Sequence, residues 1–444
     1  MRTARWTILG SLALLIVLGF LLVRLGNRPR EVERRAGLTV YCAAGVKPPV
    51  VALAERFERE YGVPIRFHFG GSGTLLANIQ VARQGDLYLA GDVGYLETAR
   101  EKGLLREILP LAHMEPVLAV AEGNPKNLTG LDDLLRSDVR VAVGNPDAAA
   151  IGRQTRTVLE KTGHWNRLKN HVEKSGVFKP TVPEIANDVR LGAVDAGLVW
   201  DATAAQHPAV QSIRIPAFAE ARKEISVGVL AASEQPTLAL RFARYLNSTV
   251  GNEVFNRHHY AAVDGDAWTW QPEITFFCGA VNRRAVDKII EEFQDREGVV
   301  VNTVYNGCGI LTAQMRTIRQ DEGGSGFPDT YMACDRYYLE NVKEWFQDDL
   351  DISEAAIVVA VQEGNPQNIR TLEDLTEPGI RVAVGQPEQC TIGALTRILL
   401  RRENVLDDVM KNVVTQTASS AMLVPTVATQ SADAAIAYIT DTLA

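Results

Sequence analysis

Residues 69–80 read "FGGSGTLLANIQ", and residues 305–316 read "YNGCGILTAQMR". Both are a glycine-rich turn running into an apolar helix start, and the comparison of the two decides how the chain is organised. Working outward, "LTVYCAAGVK" from Leu38 aligns with "ITFFCGAVNR" from Ile274, at the same shift of 236 residues that separates Ser72 from Cys308. "GDLYLAGD", ending at Asp92, then matches "PDTYMACD", ending at Asp335, at a shift of 243; copy two has gained seven residues around the Gly-rich "DEGGSGF". "AEGNPKNLTGLDDL" matches "QEGNPQNIRTLEDL", "VRVAVGNPDAAAIG" matches "IRVAVGQPEQCTIG", and "VDAGLVW", ending at Trp200, matches "ADAAIAY", ending at Tyr438. The order is kept throughout, and the period is far longer than that of a solenoid, so this is domain duplication.

A chain of 444 residues is too long for one ordinary domain. The repeat divides it into 1–36, a first domain at 37–270 and a second at 271–444. Within each copy strand and helix alternate. "LTVYCAA" is a short strand-forming run. "PPVVALAERFEREYG" carries Val51, Leu53, Phe57 and Tyr61 at helical spacing, and "TLLANIQVARQG" stops on glycine. This order predicts an α/β fold with a parallel sheet covered by helices, and ligands in such sheets bind at loops beyond the strand carboxyl ends.

Hydrophobic residues make up 46% of the chain and charged residues 23%, an ordinary globular balance. The net charge of −8 offers no basic footprint for nucleic acid. The first 36 residues depart from this average. "WTILGSLALLIVLGFLLV", Trp6 to Val23, is 18 uncharged residues, about 27 Å as a helix and close to a bilayer core. No A-x-A cleavage site follows, which predicts an uncleaved, single-pass membrane anchor rather than a signal peptide. Arg2 and Arg5 precede the run; Arg24, Arg28, Arg30, Arg34 and Arg35 follow it. That flank alone argues for a cytoplasmic body.

The loops carry the chemistry. In "GGSG" the glycines let successive N–H groups point one way, a helix N-terminus adds partial positive charge, and Ser72 adds a neutral hydroxyl donor. These suit an oxyanion without a lysine. The bland alternative is a tight turn with Ser72 as N-cap. "AAGVKPP" and "NPDAAAIG" are two further strand-to-helix loops able to converge on the same ligand. No nucleophile–base pair stands out, no cofactor is implied, and an enzyme is not expected. Asp92 and Asp335 recur at one place, which helix capping explains. His258 and His259 read as a solvated face.

On these segments copy one resembles the periplasmic molybdate-binding proteins, solute-binding subunits of oxyanion ABC importers. "CAAG" at Cys42–Gly45, "GGSGTLLANI", "GDLYLAGD", "VAVGNPDAAAIG" and "GLVW" stand in that family's order from Leu38 to about Val263. The resemblance implies two tandem type II periplasmic-binding-protein domains, each of two α/β lobes closing on ligand, with the bodies outside the cytoplasmic membrane and an ABC permease as partner. Position by position, it puts the oxyanion against Gly45, Ser72 with neighbouring Gly73, the main-chain N–H of Ile151 and Val182, and Trp200. Gly45 replaces a family serine and Trp200 a family tyrosine, and both changes keep a donor-only pocket.

The second copy is expected to differ. It stops soon after Tyr438, without a counterpart of the roughly 60 residues through "ISVGVLAAS" and "TLALRFARYLNSTVGNEVFNRHHY". A longer parent chain that continues past Ala444 is expected, with a second domain missing a strand and covering helices as the alternative. Four of the five cysteines fall in copy two: Cys278, Cys308, Cys334 and Cys390. The cleft of that copy is expected to be bordered by Cys308, Cys334, Cys390, Ile392 and Tyr438. Cys278 is the weakest member of the set, because Cys42 holds its place in copy one. A thiolate repels an oxyanion, so copy two should not bind the same ligand. Disulfide bonding ranks ahead of a soft-metal site on the four sulfurs, since no histidine accompanies them and the spacing is not C-x-x-C. A membrane-tethered oxyanion receptor is thus the leading reading. A redox- or metal-responsive module on a duplicated scaffold is the alternative.

Overall fold

The computed structural model describes residues 37–320 and 326–442. The apolar run Trp6–Val23 and part of the Gly-rich insertion lie outside those residues. Among the described residues no helix is long and apolar enough to cross a membrane. The chain forms two compact units that divide between Trp268 and Thr269.

Unit one has two sheets. The first lobe holds β1 (Leu38–Ala43), β2 (Ile65–Gly70), β3 (Leu87–Ala90) and β4 (Leu105–Met114), and the second holds β5 (Pro116–Ala121), β6 (Val141–Gly144), β7 (Val177–Lys179), β8 (Ala196–Trp200) and β9 (Val210–Ile213). The chain then returns to the first lobe as β10 (Lys223–Leu230) and β11 (Ala261–Ala262). Strand orders are β11-β4-β10-β3-β1-β2 and β7-β6-β8-β5-β9. The βαβα order predicts parallel sheets, and the structure corrects this to mixed ones. β1 is parallel to β2 and β3, and β6 to β7 and β8. β10 is antiparallel to β3 and β4, and β5 to β8 and β9. The antiparallel strands flank the passages between lobes, where the chain enters a sheet without a covering helix to reverse it first.

Four helices position the site: α1 (Lys47–Tyr61), α2 (Ser72–Ala82), α3 (Ala150–Lys161) and α4 (Val182–Arg190). Each follows a strand of one of the two sheets. In α1 the buried residues Val50, Leu53, Ala54 and Phe57 form one stripe, and Gly62, at φ 65°, ends the helix in the left-handed region. The stripe is covered by α5 (Pro236–Asn247) and α6 (Thr249–Arg257), with the Phe57 ring 5.0 Å from Phe242 and 5.1 Å from Tyr245.

Unit two repeats the plan with less of it. Its sheets are β13-β12-β14, from β12 (Glu273–Gly279), β13 (Val300–Asn306) and β14 (Thr330–Met332), and β15-β18-β16-β17, from β15 (Ile357–Val361), β16 (Val382–Gly385), β17 (Val413–Thr417) and β18 (Ala434–Tyr438). Its helices include α7 (Arg283–Glu297), α8 (Cys308–Gln320) and α9 (Thr391–Arg402). The described residues contain no counterpart of β10, α5 and α6. The consequence is visible at α7. Leu53 and Phe57 are fully buried in unit one, whereas their equivalents Ile289 and Phe293 are 63% and 44% exposed.

Candidate functional site

In unit one, loops from both lobes meet around a small cavity. Its walls come from Ala43–Val46 ahead of α1, Gly70–Ser72 at the start of α2, Gly91 and Met114, Ala149–Ile151 at the start of α3, Thr181 and Val182 at the start of α4, and Trp200 at the end of β8. The cavity is about 20 Å³, measured as the space open to the centre of a water. The centre of a water can thus range over a sphere of about 1.7 Å radius, which with its own radius of about 1.4 Å leaves about 3.1 Å to the walls, room for one small compact species. No wall residue carries a charge.

Four helices thus begin at one point, and none has a side-chain cap. The residues before them are Val46, Gly71, Ala149 and Thr181. Three of these have no capping oxygen. Thr181 has one, but its hydroxyl donates to Glu184 at 2.6 Å. The first N–H groups of a helix have no partner within it, so an uncapped start leaves donors bare. Among the described residues the N–H groups of Gly45, Ser72, Ile151 and Val182 meet no acceptor. Ser72 is 2% exposed, and its Oγ accepts from Gly91 N at 3.1 Å, leaving its O–H free to donate. The Tyr88 hydroxyl holds the Ser72 carbonyl at 2.7 Å.

Of the six residues expected on sequence grounds, Gly45, Ser72, Ile151, Val182 and Trp200 line this cavity. Gly73 does not; its N–H goes to the Ala148 carbonyl of the facing lobe at 2.9 Å. Trp200 is 2% exposed, and its indole N–H makes no hydrogen bond among the described residues. Gly45 is a site of close approach, because a Cβ there would sit 2.7 Å from Val182 Cγ1. Its carbonyl accepts from the Tyr260 hydroxyl, a support that sequence reasoning missed because Tyr260 lies outside the repeated part of the chain.

Asp92 does more than cap a helix. Its Oδ1 accepts from Gly94 N at 3.0 Å, and its Oδ2 from Arg153 of the second lobe at 2.8 Å, with Lys223 at 3.8 Å. The Arg153 guanidinium also lies 3.6 Å from the Tyr95 ring centre. This clasp joins the lobes beside the cavity. Its sequence signal is a difference between the copies, since Ala394 stands where Arg153 does.

In unit two Cys308, Cys390, Ile392 and Tyr438 are buried and Cys334 is half-buried. The four thiols are not gathered as a metal ligand set. Cys308 and Cys334 touch, with sulfurs 2.6 Å apart, whereas Cys390 Sγ donates to Thr417 O and Cys278 Sγ to Gly279 O, each at 3.6 Å. Among the described residues no group of three or more His, Cys, Asp or Glu is placed to hold a metal. All five cysteines are described as thiols, and Cys308 and Cys334 are the two whose sulfurs meet.

A family model described as "Bacterial extracellular solute-binding protein" matches residues 38–261 and again 274–444. The chain is 26% identical over 228 residues to "Molybdate-binding protein ModA" of Mycobacterium tuberculosis, covering 50% of this chain and 84% of that protein. It is 27% identical over 221 residues to a "Putative binding protein" of Haemophilus influenzae, covering 50% and 89%. Among solved structures, the Azotobacter vinelandii periplasmic molybdate-binding protein matches over 50% of this chain and 98% of its own, at 18% identity and a TM-score of 0.44.

Proposed function

The chain belongs to the bacterial extracellular solute-binding proteins, and from that premise we propose that its first unit is the receptor for a tetrahedral oxyanion of the molybdate or tungstate kind. The observation that carries this is the donor set. Four unpaired N–H groups, the Ser72 hydroxyl and four helix N-termini face one cavity with no charged side chain in its wall. Such a site stabilises a fully ionised anion through fixed dipoles and neutral donors. The cavity suits one small single-centre anion and leaves no room for a sugar or an amino acid. The name borne by the Mycobacterium tuberculosis and Escherichia coli relatives agrees with this ligand class. The role carried with it is delivery of the anion to an ABC permease, from the outer face of the cytoplasmic membrane. The 18 uncharged residues of Trp6–Val23 support a retained anchor there.

Titration calorimetry of the whole chain with molybdate, tungstate and sulfate tests the ligand. Binding of molybdate or tungstate ahead of sulfate is expected, and no binding of any of the three at millimolar concentration sinks the proposal. Intact mass of the membrane-extracted protein tests the anchor, and a mature start near residues 25–37 overturns it.

A further inference from the structure

We propose that Cys308 and Cys334 of unit two are a redox-active dithiol, converted to an intramolecular disulfide by thiol–disulfide exchange with a small-molecule or protein disulfide. The pair sits where unit one has Ser72 and Gly91. There, Ser72 Oγ accepts from Gly91 N at 3.1 Å; here, Cys308 Sγ accepts from Cys334 N at the same 3.1 Å. The loop geometry is retained and both side chains have become thiols. The two sulfurs are in contact at 2.6 Å, with one thiol donating to the other.

A second change accommodates them. Gly279 replaces Ala43, and a Cβ at Gly279 would lie 2.3 Å from Cys334 Sγ and 2.9 Å from Cys308 Sγ. The space that an alanine methyl takes in unit one is given to sulfur in unit two. Cys278 and Cys390 are excluded from the pair, because each gives its proton to a backbone carbonyl and burial raises the pKa of both thiols.

Exposure assigns the roles. Cys308 is fully buried at the start of α8, whereas Cys334 is half-buried at its loop. Cys334 therefore meets the incoming disulfide RSSR. Cys308 releases its proton to solvent and takes up that of Cys334, whose sulfur attacks one sulfur of RSSR; RS⁻ leaves and takes a proton from solvent to become RSH. This forms the mixed disulfide Cys334–S–SR. Cys308 then gives up its proton and attacks the Cys334 sulfur, expelling the second RS⁻. In sum, two cysteine thiols and one RSSR become one protein disulfide and two RSH; the cysteines are oxidised by two electrons and the reagent is reduced by two. Ionisation of Cys308 is favoured within the pair. Hydrogen bonding from the Cys334 thiol, then from Cys334 N, outweighs burial and brings Cys308 down to about 7, while the same contact raises Cys334. Reduced, the pair places thiolate charge in the cleft. Oxidised, the pair itself carries no charge, so its own contribution to the charge of the cleft follows the redox state.

The whole chain, fully reduced, is equilibrated with mixtures of oxidised and reduced glutathione, alkylated and mapped by peptide mass. A linked Cys308–Cys334 peptide is expected in the oxidising mixtures, two hydrogens lighter than the reduced pair, with Cys42, Cys278 and Cys390 alkylated throughout. C308S is expected to trap a glutathione adduct on Cys334, and C334S to carry none on Cys308. Alkylation of both Cys308 and Cys334 in the most oxidising mixture, or linkage of either to Cys390, overturns the proposal. The wild-type map decides this by itself, so a variant that fails to fold does not rescue the idea.

Discussion

At Ser72 one oxygen does two jobs. Its lone pair holds the Gly91 N–H, and its proton is left to point at the cavity. Ser72→Ala is therefore expected to weaken molybdate binding by about 1–3 kcal/mol, the scale of a hydrogen bond to a charge, and to strand the Gly91 N–H at a cost of about 1 kcal/mol in stability. Calorimetry reads the first and thermal unfolding the second; unchanged affinity shows that the hydroxyl does not touch the anion. Gly45 makes the opposite point. The resembling family has a serine there, yet restoring it brings a Cβ to 2.7 Å from Val182 Cγ1, on a branched side chain with few rotamers to retreat into. Gly45→Ser is expected to lower affinity by about 1–3 kcal/mol through overpacking of the closed cleft, where a simple reading of the resemblance expects a gain. The same titration decides between them.

At the level of elements, the site is a meeting of helix starts held shut by a clasp. Arg153 on α3 reaches Asp92 in the other lobe, and Asp92 is only 2% exposed. Breaking a pair that leaves a carboxylate so buried is costly. Arg153→Ala is expected to weaken anion binding about tenfold or more, through faster release and without any change in the cavity wall; stopped-flow release rates equal to wild type contradict this. A second, repeated element contact is Arg140–Asp195 in unit one and Arg381–Asp433 in unit two, which ties the start of β6 or β16 to the start of β8 or β18. Pairing with Arg381 holds the Asp433 carboxyl below its ordinary value. A depressed folded pKa stabilises above the unfolded value, near 3.9 for an aspartate, and that stability is lost as pH falls through the folded value. Because Arg381 is half-exposed, solvent screens the pair and its contribution is small. Asp433→Asn is expected to lower the melting temperature of unit two at pH 7, and its difference from wild type is expected to shrink as pH falls below about 3.9. An equal difference across that range rules the linkage out.

For the whole molecule, duplication has produced two non-equivalent clefts. Unit one has Ser72, Gly91 and Arg153 where unit two has Cys308, Cys334 and Ala394. A thiol is a poor donor and a thiolate repels an anion. The full chain is therefore expected to bind one molybdate per chain and not two, as read from the calorimetric stoichiometry, and Ser72→Cys is expected to remove that single event. Two equivalents at similar affinity contradict the division of labour. The surfaces diverge as well: Ile289 and Phe293 keep the apolar character of Leu53 and Phe57 while lying open among the described residues.

Much of this was legible in the chain itself. Order, spacing and glycine placement in two matched segments suffice for the duplication and the α/β class, because a strand–turn–helix motif is a local device whose signal is contiguous; the two-lobed plan and most cavity residues came from the resemblance to the molybdate-binding proteins that those segments carry. Sequence also located the substitutions at 308 and 334. It did not locate Tyr260 under Gly45 or the Asp92–Arg153 clasp, and it placed Gly73 at the ligand. Those depend on which groups face each other across a closed cleft, between residues up to 215 positions apart. Nor did composition distinguish a four-sulfur cluster from a single touching pair with two bystanders. The backbone decides that, by aiming Cys308 and Cys334 at one point beside Gly279 and turning Cys278 and Cys390 toward their own carbonyl partners.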